Sequence, residues 1–157
     1  MAVEIERKFL VADTSAQALW RAAPSVPYRQ GYLNRDKTRT VRVRIAGDAG
    51  FLTVKGASLG ATRAEFEYAI PVADAQALLA LCDGPLIEKT RHVLVHAGMA
   101  WEVDDFAGDN AGLVVAEVEL QSEAQVFGLP GWLGEEVTQD ARYFNSNLAS
   151  RPFNTWR

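Results

Sequence analysis

The sequence predicts a mainly β (α+β) chain: an eight-stranded antiparallel β-barrel closed into a tunnel, with peripheral helices and a C-terminal helix. Three observations predict it. Eight segments read as strands, several with the period-two alternation of apolar and polar side chains. On strand after strand the polar positions hold charges two residues apart, as in Glu4-Ile5-Glu6-Arg7-Lys8 and Val41-Arg42-Val43-Arg44-Ile45. An ordinary surface strand mixes Thr, Ser, Gln and isolated charges on its wet face, whereas a closed sheet with a charged inner wall explains every such pair together. Eight strands enclose room for side chains or one small ligand.

The first strand spans Val3 to Val11, with Glu4, Glu6 and Lys8 on one face and Val3, Ile5 and Phe9 on the other. Ser15 to Ala23 reads as a short helix, capped by Thr14 or Ser15 and ended by Pro24. Strands follow over Tyr28–Leu33, Thr40–Ile45, Gly50–Lys55 and Arg63–Ile70, divided by turn clusters such as Gly47-Asp48-Ala49-Gly50. Asp74 is placed to cap an Ala/Leu-rich helix through Leu81, which Gly84-Pro85 terminates. Ile87–His96, Met99–Phe106 and Gly112–Gln121 complete the eight strands, with Ala97-Gly98 as a tight turn. Asp140 caps a helical tail from Ala141 to Leu148, for which Trp132, Phe153 and Trp156 supply packing. With no internal repeat, low-complexity tract or linker, residues 1–157 read as one domain.

Composition narrows the function classes. At 157 residues, 48% hydrophobic and 23% charged, the chain can bury a core and is not disordered. A formal net charge of -4 provides no basic field for nucleic acid. Cys82 is the single cysteine, which rules out an internal disulfide framework and reads as a small buried hydrophobe. No signal peptide precedes the first strand and no apolar run has membrane-spanning length, so the expectation is a cytoplasmic protein without a membrane partner. His92 and His96 fall on the face opposite Lys89 and Arg91 and read as packing residues rather than ligands.

The charges on the presumed inner face carry the chemistry. Lys8, Lys55, Arg63, the Arg42/Arg44 pair and the Lys89/Arg91 pair oppose Glu4/Glu6, Glu65/Glu67, Glu102/Asp104 and Glu117/Glu119. Burying one uncompensated charge costs several kcal/mol, so the lining must be paired, solvated or filled by ions. Alternating signs would pair by themselves, but here the acid pairs and the basic pairs stand on separate strands. Acid pairs brought together call for a hard cation, and oxygen-only ligation suits Mg²⁺ or Mn²⁺. Clustered guanidiniums call for an anion with many oxygens, which phosphate matches. Cation plus polyanion points to phosphoryl transfer or polyphosphate binding in a tunnel.

These residues resemble the signature of the CYTH superfamily, the triphosphate tunnel metalloenzymes. The likeness starts with EIERKFLV around Glu4-x-Glu6-x-Lys8 and continues through Gln30-Gly31-Tyr32-Leu33, VRVR at Val41 to Arg44, and TVKG at Thr53 to Gly56. It goes on through Arg63-x-Glu65-x-Glu67, IEKTR at Ile87 to Arg91 and WEVDDFAG at Trp101 to Gly108. VAEVEL at Val115 to Leu120 and GEEVTQDARYFN at Gly134 to Asn145 extend it over nearly the whole chain. The chain looks most like short bacterial members that hydrolyse inorganic triphosphate, and the family's eight-stranded tunnel agrees with the strand count. The resemblance implies that Glu4, Glu6 and Glu119 hold the catalytic divalent metal, Mg²⁺ or Mn²⁺, with Glu117 as a fourth ligand or the group orienting the attacking water. It implies that Lys8, Arg42, Arg44, Lys55 and Arg91 bind triphosphate oxygens, and that Lys89 and Tyr32 form a dyad assisting cleavage. On the residues alone, Tyr32 reads equally as a barrel aromatic, and Arg63 as a partner of Glu65 or Glu67. The substrate so implied is a small-molecule triphosphate, the state a monomer or homodimer. Thiamine- or nucleoside-triphosphate hydrolysis, nucleotide cyclisation and non-catalytic polyphosphate binding are the alternative activities.

Overall fold

Period-two alternation becomes a ring of strands. The computed structural model describes residues 3–156. Strand β1 (Val3–Val11) is followed by β2 (Ser25–Asn34), β3 (Arg39–Ala46), β4 (Ala49–Gly56) and β5 (Thr62–Ile70). Helix α1 (Val72–Leu79) leads to β6 (Asp83–His96), β7 (Met99–Phe106), β8 (Val114–Glu119), the short β9 (Leu133–Glu136) and helix α2 (Asn145–Ser150). The sheet order is β5-β4-β3-β2-β6-β7-β8-β1-β9, and an added β5–β1 pairing closes the first eight strands into an antiparallel barrel. The closing strand β1 is shared along its length. Val3–Ile5 pair with β5, Glu6–Leu10 with β8 on the other edge, and Phe9 and Val11 with β9. The chain thus ends the sheet without an open edge at that seam.

Three apolar clusters pack around this wall. Phe9, Trp101, Val103, Ala116 and Val118 face outward from β1, β7 and β8, and are covered by Trp20 and Trp132. Val43 and Ile45 face outward from β3 and are covered by Ala75 and Leu79 of α1. The third cluster lies at one end of the barrel, where Ile87, Phe106 and Val115 meet Tyr143 and Leu148 of the tail. No helix among the described residues is long and apolar enough to cross a membrane.

Several elements differ from expectation, each for a local reason. Ser15–Ala23 is not a full helix; only a 3-10 turn, Leu19–Ala22, forms. The Arg21 guanidinium donates to the Ser15 carbonyl at 2.7 Å and to the Thr14 carbonyl at 2.8 Å, side-chain bonds that take the acceptors a longer helix would use. Helix α1 starts behind Pro71, two residues before Asp74, and stops at Leu79. Asp74 therefore sits in the first turn, where its charge complements the helix dipole, and does not cap it. Gly84-Pro85 lies within the start of β6, with Gly84 at φ 72°. The tail is a 3-10 turn, Ala141–Tyr143, then a break at Phe144, then α2 to Ser150. Asp140 does cap its start, accepting from Arg142 N at 3.1 Å. Trp132 packs edge-on against Trp101 at 6.1 Å, not on the tail, whereas Phe153 and Tyr143 each meet Trp156 edge-to-face at 5.1 Å. Cys82 is half-buried against the α1 cluster. His92 lies edge-on to Trp20 at 5.2 Å, outside the barrel.

Candidate active site

Strand parity aims the charged side chains inward, and register then sorts them along the tunnel. Across β1 and β8, Glu6 faces Glu119, Lys8 faces Glu117, and Leu10 faces Val115. The wall thus passes from acids through mixed charge to an apolar floor, where Val115 joins the cluster that the tail closes. All eleven residues singled out from the sequence line one cavity of about 300 Å³. Among the described residues, the buried charges in and directly behind its wall are five cations (Lys8, Arg42, Arg44, Lys89, Arg91) and three carboxylates (Glu4, Glu117 and, behind Lys89 and Arg91, Asp104). Glu119 and Glu67 are exposed, and Glu6, Glu65 and Glu102 half-buried. The deep wall is therefore net positive and its rim acidic.

Each cation has a distinct environment. Arg91 is the most engaged: Nε and Nη2 donate to Asp104 at 2.8 and 2.9 Å, and Nη1 to Glu102 at 3.0 Å. Lys89 Nζ, 3% exposed as a residue, donates to Asp104 Oδ2 at 2.7 Å and to Asn145 Oδ1 at 3.0 Å. Burial lowers the Lys89 ammonium to about 7, against the pull of Asp104 and with the help of Arg91 and Arg44. Arg44 has only a neutral hydrogen-bond acceptor, Gln30 Oε1 at 2.7 Å, and burial together with Arg42 and Arg91 lowers it to about 10. Arg42 Nη2 reaches Thr53 Oγ1 at 3.1 Å and Glu67 at 3.5 Å, while its buried Nε has no partner. Lys8 Nζ lies 3.4 Å from Glu117 and 3.2 Å from the Tyr143 carbonyl. Lys55 Nζ bridges Glu4 at 3.0 Å and Glu65 at 3.3 Å. Arg63 does not pair with Glu65 or Glu67; it donates to the Gly56 carbonyl at 3.1 Å and lies opposite Glu4. Residues two apart on a strand stand about 6.6 Å apart, so cross-strand neighbours take those carboxylates first.

The acids separate into two kinds. Burial would raise Glu117, but Lys8 and Arg91 outweigh it and hold the carboxyl at about 2. Asp104, surrounded by Arg91 and Lys89, is far below the usual carboxylate range despite its burial. Glu6 goes the other way: burial first, then Glu117 and Glu4, push it well above the carboxylate range. Burial also raises Glu4, with Lys55 opposing, and raises Glu119 together with Glu4, Glu65 and Glu102. Like charges placed directly opposite on a ladder, as Glu6 and Glu119 are, destabilise it. No three carboxylate, histidine or cysteine groups among the described residues are already drawn into a ligand cluster, and Glu4 is held on Lys55. The donor set nevertheless fits a hard divalent cation: all oxygen, anionic and mutually repelling until countered.

The two tyrosines stand apart. Tyr32 is buried, opposite Arg42 and Asp83 in register, and joins the apolar cluster at the barrel floor while lining the cavity. Lys89 is opposite Tyr28, whose ring centroid is 5.9 Å from Lys89 Nζ. Tyr28, Gln30, Thr53 and Asn145 are site residues to which the sequence assigned no role, and Asp104, expected only as one of the inward acids, is the counter-ion of Lys89 and Arg91. Tyr28 and Gln30 share parity with Tyr32, which was a usable signal; Asn145 reaches Lys89 only because the tail folds back, and nothing local announces that.

Comparison with known proteins follows the same outline. A model of the CYTH domain matches residues 2–153. A protein of Acetivibrio thermocellus named inorganic triphosphatase is 49% identical over 158 residues, spanning 100% of this chain and 99% of its own. A protein of Nitrosomonas europaea with the same name is 42% identical over 150 residues, 93% of this chain and 96% of its own. Among solved structures, that of an inorganic triphosphatase superposes with a TM-score of 0.65 at 41% identity, covering 95% of each chain.

Proposed function

The chain belongs to the CYTH domain family, and on that premise we propose that it hydrolyses inorganic triphosphate to pyrophosphate and phosphate with the aid of a divalent metal ion. The observation that carries this reading is the distribution of charge in the cavity: a buried wall in which five cations outnumber three carboxylates, with an acidic rim around Glu6 and Glu119. A polyanion is attracted to the first and a hard cation to the second. Phosphoryl transfer requires in-line positioning and charge neutralisation more than covalent chemistry, and this wall offers both.

The roles divide by environment. Arg42 and Arg44 have donors not committed to buried carboxylates, including the orphaned Arg42 Nε, and would bind phosphate oxygens, with Lys8, Lys55 and Arg91 adding charge. Glu117, ionised at neutral pH and steadied by Lys8, would orient the attacking water. Lys89, held by Asp104 and Asn145, would deliver charge or a proton where the anhydride bond breaks. Tyr32 lines the same cavity and would donate from its hydroxyl to a phosphate oxygen. Triphosphatases of this family depend on a metal ion. Here Glu4, Glu6 and Glu119 would hold Mg²⁺ or Mn²⁺, which would polarise phosphoryl oxygens and offset their charge.

Inorganic triphosphate is favoured over organic triphosphates because the ring and the two amides of the wall best suited to read an organic group are already engaged. The Tyr28 ring is flanked by guanidiniums, and the amides of Gln30 and Asn145 serve Arg44 and Lys89. The test is phosphate release from triphosphate, pyrophosphate, ATP and thiamine triphosphate with Mg²⁺ and with Mn²⁺, alongside cyclic AMP formation. Triphosphate should turn over with the highest kcat/KM by at least tenfold. A preference for ATP or thiamine triphosphate would overturn the substrate, and tight binding of triphosphate without turnover would overturn the enzyme.

A further inference from the structure

The centre of the cationic wall is an aromatic ring. The Tyr28 centroid lies 4.7 Å from the Arg44 guanidinium, 4.7 Å from that of Arg91 and 5.9 Å from Lys89 Nζ. Register explains the convergence: Tyr28 is opposite Lys89 on β6 and opposite the small Ala46 on β3, so Arg91 and Arg44 flank it diagonally on either side. These three cations repel one another, and Asp104 accepts hydrogen bonds from Lys89 and Arg91 but not from Arg44. No carboxylate among the described residues is within ion-pair distance of Arg44, and its hydrogen bond goes to the neutral Gln30. The face of a tyrosine ring attracts cations through its quadrupole without carrying a formal charge.

We propose that Tyr28 is a positioning residue for the polyphosphate substrate, its ring acting as a shared neutral counter-group that keeps Arg44, Lys89 and Arg91 gathered around the cavity before the anion arrives. The inference rests on the cavity taking a triphosphate. A carboxylate at this position would gather the same cations, but it would compete with phosphate for their donors and repel the incoming anion. A ring takes none of the guanidinium N–H donors for itself and releases the guanidiniums without uncovering a charge. Removing it lets Arg44 and Arg91 move apart, so the anion must reassemble its own site and binding weakens.

The test compares Tyr28→Phe, Tyr28→Leu and Tyr28→Met in the full chain. Three quantities are measured: calorimetric Kd for tripolyphosphate in metal-free buffer, kcat and KM with Mg²⁺, and Tm. Tyr28→Leu should raise Kd and KM about tenfold, the size expected for losing desolvated cation–π contacts, with kcat within about threefold of wild type. Tyr28→Phe keeps the ring and should stay within about twofold on every measure. If the leucine variant folds poorly, Tyr28→Met, flexible and apolar but without a ring, should show the same rise in Kd. Wild-type Kd and KM in both the leucine and methionine variants would overturn the proposal, and so would a phenylalanine variant as weak as the leucine one, because the hydroxyl would then be the working group. Wild-type protein that neither binds nor cleaves tripolyphosphate would sink the substrate reading itself, and this role with it; wild-type binding with an unaffected leucine variant would sink the role of Tyr28 alone.

Discussion

Asp104→Asn should be among the most damaging single-atom changes in this barrel. The carboxylate is 2% exposed and accepts three charge-assisted bonds, from Lys89 at 2.7 Å and from Arg91 at 2.8 and 2.9 Å. An amide keeps one acceptor and turns its NH₂ toward a cation, leaving Lys89, Arg91 and Arg44 buried with little countercharge. Breaking a buried pair from one side costs about 3–5 kcal/mol. At roughly 2–4 °C per kcal/mol for a chain of this length, Tm should fall by about 6–20 °C. The linkage has a definite sign. The Asp104 carboxyl in the folded protein is far below the ordinary aspartate value of 3.8, so its contribution is present above that value and lost as pH falls below it. The gap between variant and wild type should therefore be full at pH 7 and shrink in strong acid. Tripolyphosphate should stabilise the variant more than the wild type, because the anion supplies the missing charge. Thermal melts followed by circular dichroism at pH 7, with and without millimolar tripolyphosphate, decide it. A variant melting within about 2 °C of wild type, or one further destabilised by tripolyphosphate, would refute the charge balance argued for this wall.

Other expectations follow from neighbouring residues. Glu119→Gln should abolish nearly all hydrolysis and the Mg²⁺-induced rise in Tm, yet leave the metal-free protein equally or more stable, since it removes one acid opposite Glu6; near-wild-type turnover would show that Glu119 holds no metal. Glu6→Gln should raise metal-free Tm at neutral pH. A carboxyl raised well above its usual range stabilises the fold most below pH 4.5 and loses that contribution as pH climbs through its folded value, so a melt series from pH 4 to 8 should show the variant's advantage growing with pH. Lys89→Ala should depress kcat by about 10²–10³ with a smaller change in KM, and a rise in KM alone would make it another phosphate clamp. Since burial sets Lys89 near pH 7, binding of tripolyphosphate at pH 7.5 should draw a proton onto the protein. Calorimetric enthalpies should then depend on the buffer's ionisation heat in the wild type more than in Lys89→Arg, and equal dependence would argue against that titration.

Much of the barrel was legible because its code is local. A strand alternates its faces by backbone geometry alone, so Glu4, Glu6 and Lys8 share a side whatever else the chain does. That rule placed Arg42, Arg44, Lys55, Lys89, Arg91, Glu117 and Glu119 on inward positions of their strands, and all of them line one cavity. Strand β9 was missed because its four residues, Leu133 to Glu136, are too few to show alternation and pair only at an irregular edge of β1. Of the helix expected over Ser15–Ala23 only the 3-10 turn Leu19–Ala22 forms, and the Arg21 guanidinium takes the Thr14 and Ser15 carbonyls.

What the sequence determined by itself was the set of inward charges and the closed sheet that could shelter them. Which charge meets which was decided only in three dimensions. A register shift of two residues preserves every inward position and changes every partner, so parity could not tell that Lys55 would capture Glu4 or that Tyr28 would stand beside Lys89, whereas the tight Ala97-Gly98 turn sets the β6–β7 register that puts Asp104 opposite Arg91. The Lys55–Glu4 contact follows from β1 closing on β5, which also pairs with β4, the Tyr28–Lys89 pair from β2 lying beside β6, and the Asn145–Lys89 bond from the tail folding back, all between residues far apart in the chain. Local sterics orient a side chain, but the balance of buried charge belongs to the closed barrel.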